Sequence, residues 1–275
     1  MGKNIIKRRQ TIRRTSLSRL FAVIGILGLL SPALAQAKTG DTTTWMSKVY
    51  DGDGGDGNSA YLDSPQAFAA DSMCNIYIAD TGNYGIRRLD HTTNIITTVL
   101  GNAQYGDKVV NATPLASQLK APAGIVRGPD NNWYVADRDQ GTVRVVTNDG
   151  TFNRTAIKGM KQPNGLASDG TYLYIAETGR NRILRLAWPV VEADAGAILI
   201  TATSSYTYLN VGSPWHIAVD STKLYLTSAK RNRFEVYPLI SLALNYAAIF
   251  EGAEGVTVFA GIVYFTTHPS VVNIQ

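Results

Sequence analysis

The chain has very little of the material from which disulfides, histidine metal centres and catalytic nucleophiles are built. Its 275 residues include one cysteine, Cys74, and only three histidines, at positions 91, 216 and 268. A single cysteine excludes an internal disulfide, and three histidines give few ligands for a zinc site. The Gly-x-Ser-x-Gly motif, the phosphate-binding loop and the dinucleotide fingerprint are absent as well. We therefore expect apolar packing to hold the fold, with Cys74 a buried and inert thiol.

Acidic residues are missing from positions 1–37, which hold seven of the 26 lysines and arginines. This basic stretch precedes the apolar run Leu20–Leu30 and the small-residue site Ala35-Gln-Ala37. The pattern predicts an export signal cleaved after Ala37, because the apolar run is too short to span a bilayer. We expect one domain at 38–275, located in the periplasm or outside the cell, without a membrane anchor. Arg13-Arg14 leaves the twin-arginine route open beside the general one.

Removing the leader changes the charge of the chain. The remaining residues include 19 basic and 21 acidic side chains, so the net charge becomes slightly negative. A strongly basic field is the usual signature of nucleic-acid binding, and its absence argues against a nucleic-acid partner. We expect a monomer whose partner is a protein, a glycan or a small molecule.

A repeated unit dominates the rest of the chain. Its tyrosines, at 77, 134, 174, 225 and 264, are separated by 57, 40, 51 and 39 residues. Each unit begins with an apolar stretch that usually starts at a proline, as in Pro163-Asn-Gly165. Units of about 40 residues that are rich in short strands form the blades of β-propellers. The two longer steps predict insertions near 104–118 and 190–208.

The first unit carries the resemblance to a known family. Gly54-Gly-Asp-Gly57, Ile76-Tyr-Ile-Ala-Asp80-Thr-Gly-Asn83 and Ile96-Thr-Thr-Val-Leu-Gly101 resemble NHL-repeat β-propellers. Pro163-Asn-Gly165 and the segment 176–185 are also similar to strictosidine-synthase-like and gluconolactonase-like propellers. We therefore expect an all-β propeller of four-stranded blades. Five blades are predicted, with residues 43–50 supplying a closing strand, and six blades are the alternative.

Ligands bind propellers where the loops converge at one mouth of the central channel. Aligning the openings of the five units predicts that this mouth is ringed by Gln66, Ala123, Asn164, Trp215 and Glu254. We include two further candidates as ligand-binding residues, His216 and Arg180. His216 and His268 are also the candidates for an acid/base pair, although a packed histidine is the simpler interpretation of His216.

The family resemblance implies a metal at this mouth. In gluconolactonase-like propellers the corresponding positions bind a divalent cation, which makes Asn164 and Glu254 the candidate ligands and Ca²⁺ the implied cofactor. Ala123 and Trp215 stand where further ligands are expected, and two oxygen donors are too few for Ca²⁺. The competing interpretation places Asn164 in a turn and leaves Glu254 solvated.

Two functions remain open at this point. The first is an exported, non-catalytic propeller that binds a protein, glycan or small ligand at its loop face, since no unique polar cluster stands out. The alternative is a metal-dependent lactonase, esterase or lyase of the gluconolactonase-like type. The recurring acidic residues at positions 80, 137 and 177 favour a structural role, in which each carboxylate accepts N–H groups of the following turn.

Overall fold

The computed structural model describes residues 51–190, 197–200, 206–228, 233–239, 246–249, 253–259, 262–267 and 271–274. The predicted leader and the predicted closing strand at 43–50 lie outside these residues, so both stay predictions. Several side chains near the C-terminus, including that of Glu254, also lie outside the description.

The described strands form five sheets of consecutive antiparallel strands. Sheet 1 contains β1 (Ala67–Ala70), β2 (Ile76–Asp80), β3 (Gly85–Leu89) and β4 (Ile96–Leu100). Sheet 2 contains β5 (Pro122–Arg127), β6 (Trp133–Asp137), β7 (Thr142–Val146) and β8 (Asn153–Lys158), with β12 (Ile198–Leu199) added in parallel to β8. The insertion predicted near 190–208 thus contributes an edge strand to sheet 2.

The other three sheets repeat this order. Sheet 3 contains β9 (Pro163–Ser168), β10 (Tyr172–Glu177), β11 (Arg182–Ala187) and β13 (Thr207–Asn210). Sheet 4 contains β14 (Pro214–Val219), β15 (Lys223–Ser228), β16 (Arg233–Pro238) and β17 (Tyr246–Ile249). Sheet 5 contains β18 (Ala253–Phe259), β19 (Ile262–Thr267) and β20 (Val271–Ile274). In each sheet we call the consecutive strands a, b, c and d.

Two sequence features explain why sheets 2, 3 and 4 fold in the same way. Strand a of sheets 2, 3 and 4 begins at a proline, which suits a first strand position because no ladder donor is needed there. The tyrosine of strand b donates its hydroxyl to an aspartate in the preceding turn at 2.7–2.9 Å. These pairs are Tyr134 with Asp130, Tyr174 with Asp169, and Tyr225 with Asp220. The aspartate therefore fixes both the turn and the tyrosine.

The sheets pack in chain order around their first strands. β1 contacts β5, β5 contacts β9, β9 contacts β14, and β14 contacts β18. The apolar clusters lie between neighbouring sheets; one of them joins Tyr134 and Val143 of sheet 2 to Ile175 and Leu184 of sheet 3. This packing places the five a strands innermost, with their first residues at one end.

The all-β prediction is confirmed, while the number of blades stays a prediction because residues outside the description include the closing segment. The prediction of a buried thiol is wrong: Cys74 is exposed in the turn between β1 and β2, where its φ is +63°. No helix among the described residues is long and apolar enough to cross a membrane.

Candidate functional site

The predicted mouth residues occupy equivalent places in the structure. Gln66 directly precedes β1, and the second residues of β5, β9, β14 and β18 are Ala123, Asn164, Trp215 and Glu254. We call these five residues the channel mouth. In sheets 2 to 5 the pairing between strands a and b shifts register immediately after the first residue of strand a. Such a bulge re-aims the side chains at the start of a strand.

The inner strands approach one another closely at this end. A Cβ on Gly124 would lie 2.1 Å from the carbonyl oxygen of Asn164, and one on Gly165 would lie 2.9 Å from Cα of His216. Neighbouring strands therefore meet backbone to backbone, which only glycine permits at these two positions. The close approach brings the openings of sheets 2, 3 and 4 together.

Asn164 is the most unusual residue of the mouth. Its side chain is fully buried, yet within the described part of the chain neither amide atom has a hydrogen-bond partner. A buried polar group without a partner costs about 1–3 kcal/mol, and native structures usually satisfy it with a water, an ion or a ligand. Asn164 lies in strand β9 and not in a turn, and its amide has one acceptor oxygen and two donor hydrogens that no described residue engages.

A second group of mouth residues is connected across the ring. The Nε2 atom of His216 lies 3.1 Å from the carbonyl oxygen of Gln66, in sheet 1. A carbonyl oxygen only accepts, so this hydrogen bond places an imidazole proton on Nε2. Trp215 is partly exposed, and its ring centroid lies 6.2 Å from that of His216.

Arg138 joins this group, and the sequence analysis missed it. The equivalent residues Thr81 and Thr178 donate their hydroxyls to the opening proline of the next sheet, Thr81 to Pro122 at 2.6 Å. Arg138 instead pairs with Asp139 and reaches Oε1 of Gln66 at 3.4 Å. The sequence did carry a signal: Arg138 stands at the position after strand b where sheets 1 and 3 have a threonine.

Two other candidates are placed differently. Arg180 forms an ion pair with the buried carboxylate of Glu177 and donates to the carbonyl oxygen of Gly159 at 3.0 Å, so the fold already engages it. His268, the proposed partner of His216, lies outside the described residues. The structure therefore brings together Gln66, Asn164, Trp215 and His216 at one end, but gives no position for the second histidine.

The repeated carboxylates belong to the scaffold. Asp80 accepts from the backbone N–H of Asp63 at 2.8 Å, Asp137 from Ala121 at 2.8 Å, and Glu177 from Lys161 at 2.7 Å. These backbone N–H donors precede strand a, whereas the sequence analysis expected backbone N–H groups of the turn after strand b. That turn contributes side-chain donors instead, Asn83 to Asp80 at 2.9 Å and Arg180 to Glu177. Burial raises the pKa of Asp80 and Asp137 above the ordinary carboxyl value, against the opposing effect of these hydrogen bonds.

The described residues do not fit the implied calcium ion. Among the mouth residues whose side chains the structure describes, which exclude Glu254, only Asn164 and Gln66 offer side-chain oxygens, and the guanidinium of Arg138 lies beside Gln66. Ala123 and Trp215 supply none. Ca²⁺ takes six to eight oxygen ligands, usually with carboxylates among them. No group of three or more acidic, histidine or cysteine side chains suited to a metal occurs in the described part of the chain.

Comparisons with known proteins agree with this geometry at the level of the fold. No family model matches the chain, and no curated protein matches it in sequence. A solved gluconolactonase from Xanthomonas campestris is 20% identical with a TM-score of 0.58, covering 76% of this chain and 72% of that one. A streptogramin B lyase is 17% identical with a TM-score of 0.52, covering 78% and 65%. The chain is a β-propeller.

A third structure is similar in the same way. It is a catalytically inactive virginiamycin B lyase from Staphylococcus aureus with quinupristin, 15% identical with a TM-score of 0.50, covering 77% of this propeller and 66% of that chain. The propeller thus spans just under two thirds of the length of the two lyases. Its resemblance to NHL repeats stays a prediction, because no family model matches.

Proposed function

We propose that the protein is an exported propeller enzyme that cleaves a lactone or another ester at the channel mouth. The observation that carries this proposal is the buried amide of Asn164, which has no partner among the described residues and lies among the inner strand openings with His216 on the adjacent strand. The gluconolactonase and lyase propellers among the similar structures supply the reaction class. This is the alternative function of the sequence analysis, and it now replaces the non-catalytic scaffold as the preferred one.

The mouth residues match the demands of ester cleavage. Attack of water on an ester carbonyl develops negative charge on its oxygen, and amide N–H donors fixed in a dry site stabilise that charge. Asn164 holds such donors without another partner among the described residues. The imidazole of His216 is the group of the described mouth suited to remove the proton from water and return it to the leaving alkoxide. Arg138 adds positive charge to the mouth beside the side chain of Gln66.

The competing candidate is a binding module without catalysis. Trp215 favours it, because a partly exposed indole at a propeller mouth suits stacking on a sugar or another ring. Under this second function Asn164 hydrogen bonds to a ligand that leaves the mouth unchanged. Both functions include three further proposals, which rest on the sequence features described above: the protein is exported, it is a monomer, and its ring has five blades.

A paired assay separates the two functions. Release of acid from glucono-1,5-lactone is followed with wild type, His216→Asn and Asn164→Ala. Each protein is assayed once with chelator and once with added Ca²⁺, because the side chain of Glu254, a candidate metal ligand, lies outside the described residues. Catalysis predicts turnover that falls at least about tenfold in both variants, since each loses one group used in the transition state. Saturable binding of the intact lactone with no acid release above the spontaneous rate contradicts the enzyme and supports the module.

A further inference from the structure

The gap between sheets 1 and 2 is open at the end of the strands opposite the channel mouth. A cavity of about 250 Å³ lies there. Its floor contains the stacked rings of Tyr77 and Trp133, whose centroids are 3.8 Å apart, together with Val99. The turn residue Met73, which is 65% exposed, lies at the rim. This space is distinct from the channel mouth and has no part in the proposed catalysis.

The repeat itself shows what normally occupies this position. Val146, Leu186 and Tyr237 are equivalent, because each pairs with the residue before the repeat tyrosine of its own sheet. Two residues further along lie Asn148, Trp188 and Leu239. The register of the strands therefore makes these three side chains equivalent occupants of successive gaps between sheets.

Two of the three gaps are filled by that equivalent residue. Trp188 of sheet 3 packs edge-on against Tyr134 of sheet 2, with ring centroids 4.7 Å apart. Leu239 packs against the apolar cluster between sheets 3 and 4, which includes Tyr174. In the gap between sheets 1 and 2 the occupant is Asn148, which is polar and exposed. The indole of Trp133, at the position of Leu173 and Leu224 in the next two sheets, already covers Tyr77 in this gap. The cavity is the space that remains beside it, at the position that Trp188 and Leu239 fill in the other two gaps.

The charges at the rim already have partners within the chain. Arg88 pairs with Asp90 at 2.7 Å, and the carboxylate of Asp149 accepts hydrogen bonds from Thr147 and Thr151. A ligand in the cavity therefore meets an aromatic and aliphatic floor with no uncompensated charge. The polarisable thioether of Met73 suits contact with an aromatic ring.

We infer that this cavity is a second binding site, which takes a small, neutral, planar aromatic molecule of about the size of an indole. Such a molecule replaces the side chain that the repeat supplies as Trp188 in the next gap. For nine non-hydrogen atoms in an apolar site, we expect a dissociation constant of about 0.1–1 mM. The site is independent of the proposed ester cleavage, and its ligand belongs to a different chemical class.

The test uses indole and the full-length chain. Isothermal titration should show saturable binding of indole to wild type, with one site per chain and a higher melting temperature at saturation. Asn148→Trp places an indole at the position that Trp188 occupies in the next gap. It should raise the melting temperature by about 2–4 °C and weaken indole binding at least about tenfold. Ser221→Trp, in an exposed turn of sheet 4, controls for the added indole and should bind like wild type.

Two results would overturn the inference. The first is the absence of saturable binding to wild type at indole concentrations of several times the expected dissociation constant. The second is unchanged indole affinity in a folded Asn148→Trp variant, which would show that indole binds elsewhere. Because the first result needs no variant, the inference stays falsifiable even if Asn148→Trp fails to fold.

Discussion

Two fully buried asparagines provide a direct measure of how the channel mouth differs from the scaffold. Asn153 donates from Nδ2 to the carbonyl oxygen of Val110 at 2.8 Å, and its Oδ1 accepts from the buried guanidinium of Arg144. Asn164 is equally buried but has no hydrogen-bond partner among the described residues. Replacing each by alanine removes the same atoms from two environments that differ in hydrogen bonding.

The expected magnitudes differ clearly. A neutral hydrogen bond contributes about 0.5–1.5 kcal/mol and one to a charged group about 1.5–3 kcal/mol, so Asn153→Ala should cost about 2–4 kcal/mol. For a domain of this size, each kcal/mol lowers the melting temperature by about 2–4 °C. Asn164→Ala removes an unsatisfied group, which stabilises by about 1–3 kcal/mol, but it also loses packing contacts and leaves a void, which costs a similar amount. We therefore expect a net change within about 1 kcal/mol of zero. Urea unfolding of both variants measures the difference, and equal destabilisation of the two would refute the assignment of Asn164 as an unpaired, ligand-directed residue.

Two further predictions concern the scaffold. Burial raises the pKa of Asp137, so the native state holds its proton at pH values where the unfolded chain has released it, and the stability contributed by Asp137 falls as pH rises through that raised pKa. Urea unfolding from pH 4 to 7 should therefore show wild type losing stability relative to Asp137→Asn, and parallel profiles would contradict this. Tyr134→Phe removes the 2.8 Å hydrogen bond to Asp130 and should cost about 1.5–3 kcal/mol, against less than about 0.5 kcal/mol for the exposed Tyr61→Phe; equal effects would show that the Asp130 contact adds nothing.

The sequence predicted the scaffold well because the scaffold is repeated. In the first four units a proline near the start of strand a, an aspartate in the following turn and the tyrosine of strand b recur, with the tyrosine 11 or 12 residues after the proline, so the units support one another. The carboxylate that ends strand b was also recognised, but its backbone donors were not. The N–H groups that it binds lie about 16 residues earlier in the chain, and only the folded sheet brings these segments together.

The channel mouth was less accessible to prediction, since its chemistry depends on departures from the repeat. Alignment placed Asn164 at the ring but gave no sign that its amide lacks a partner among the residues the structure describes, which depends on how closely β5, β9 and β14 approach. Arg138 replaces a threonine and escaped notice because the threonine's contact with the next sheet is visible only in the structure. The same reasoning applies to Asn148, whose meaning appears when its equivalents Trp188 and Leu239 are seen in their gaps.

The measurement that tests the central claim most directly is acid release from glucono-1,5-lactone by wild type and Asn164→Ala, each confirmed as folded. We predict release above the spontaneous rate with wild type and a loss of at least about tenfold in the variant, with its stability nearly unchanged. Acid release at the spontaneous rate with both proteins, in chelator and in added Ca²⁺ alike, would contradict the assignment of the channel mouth as a site that cleaves this lactone.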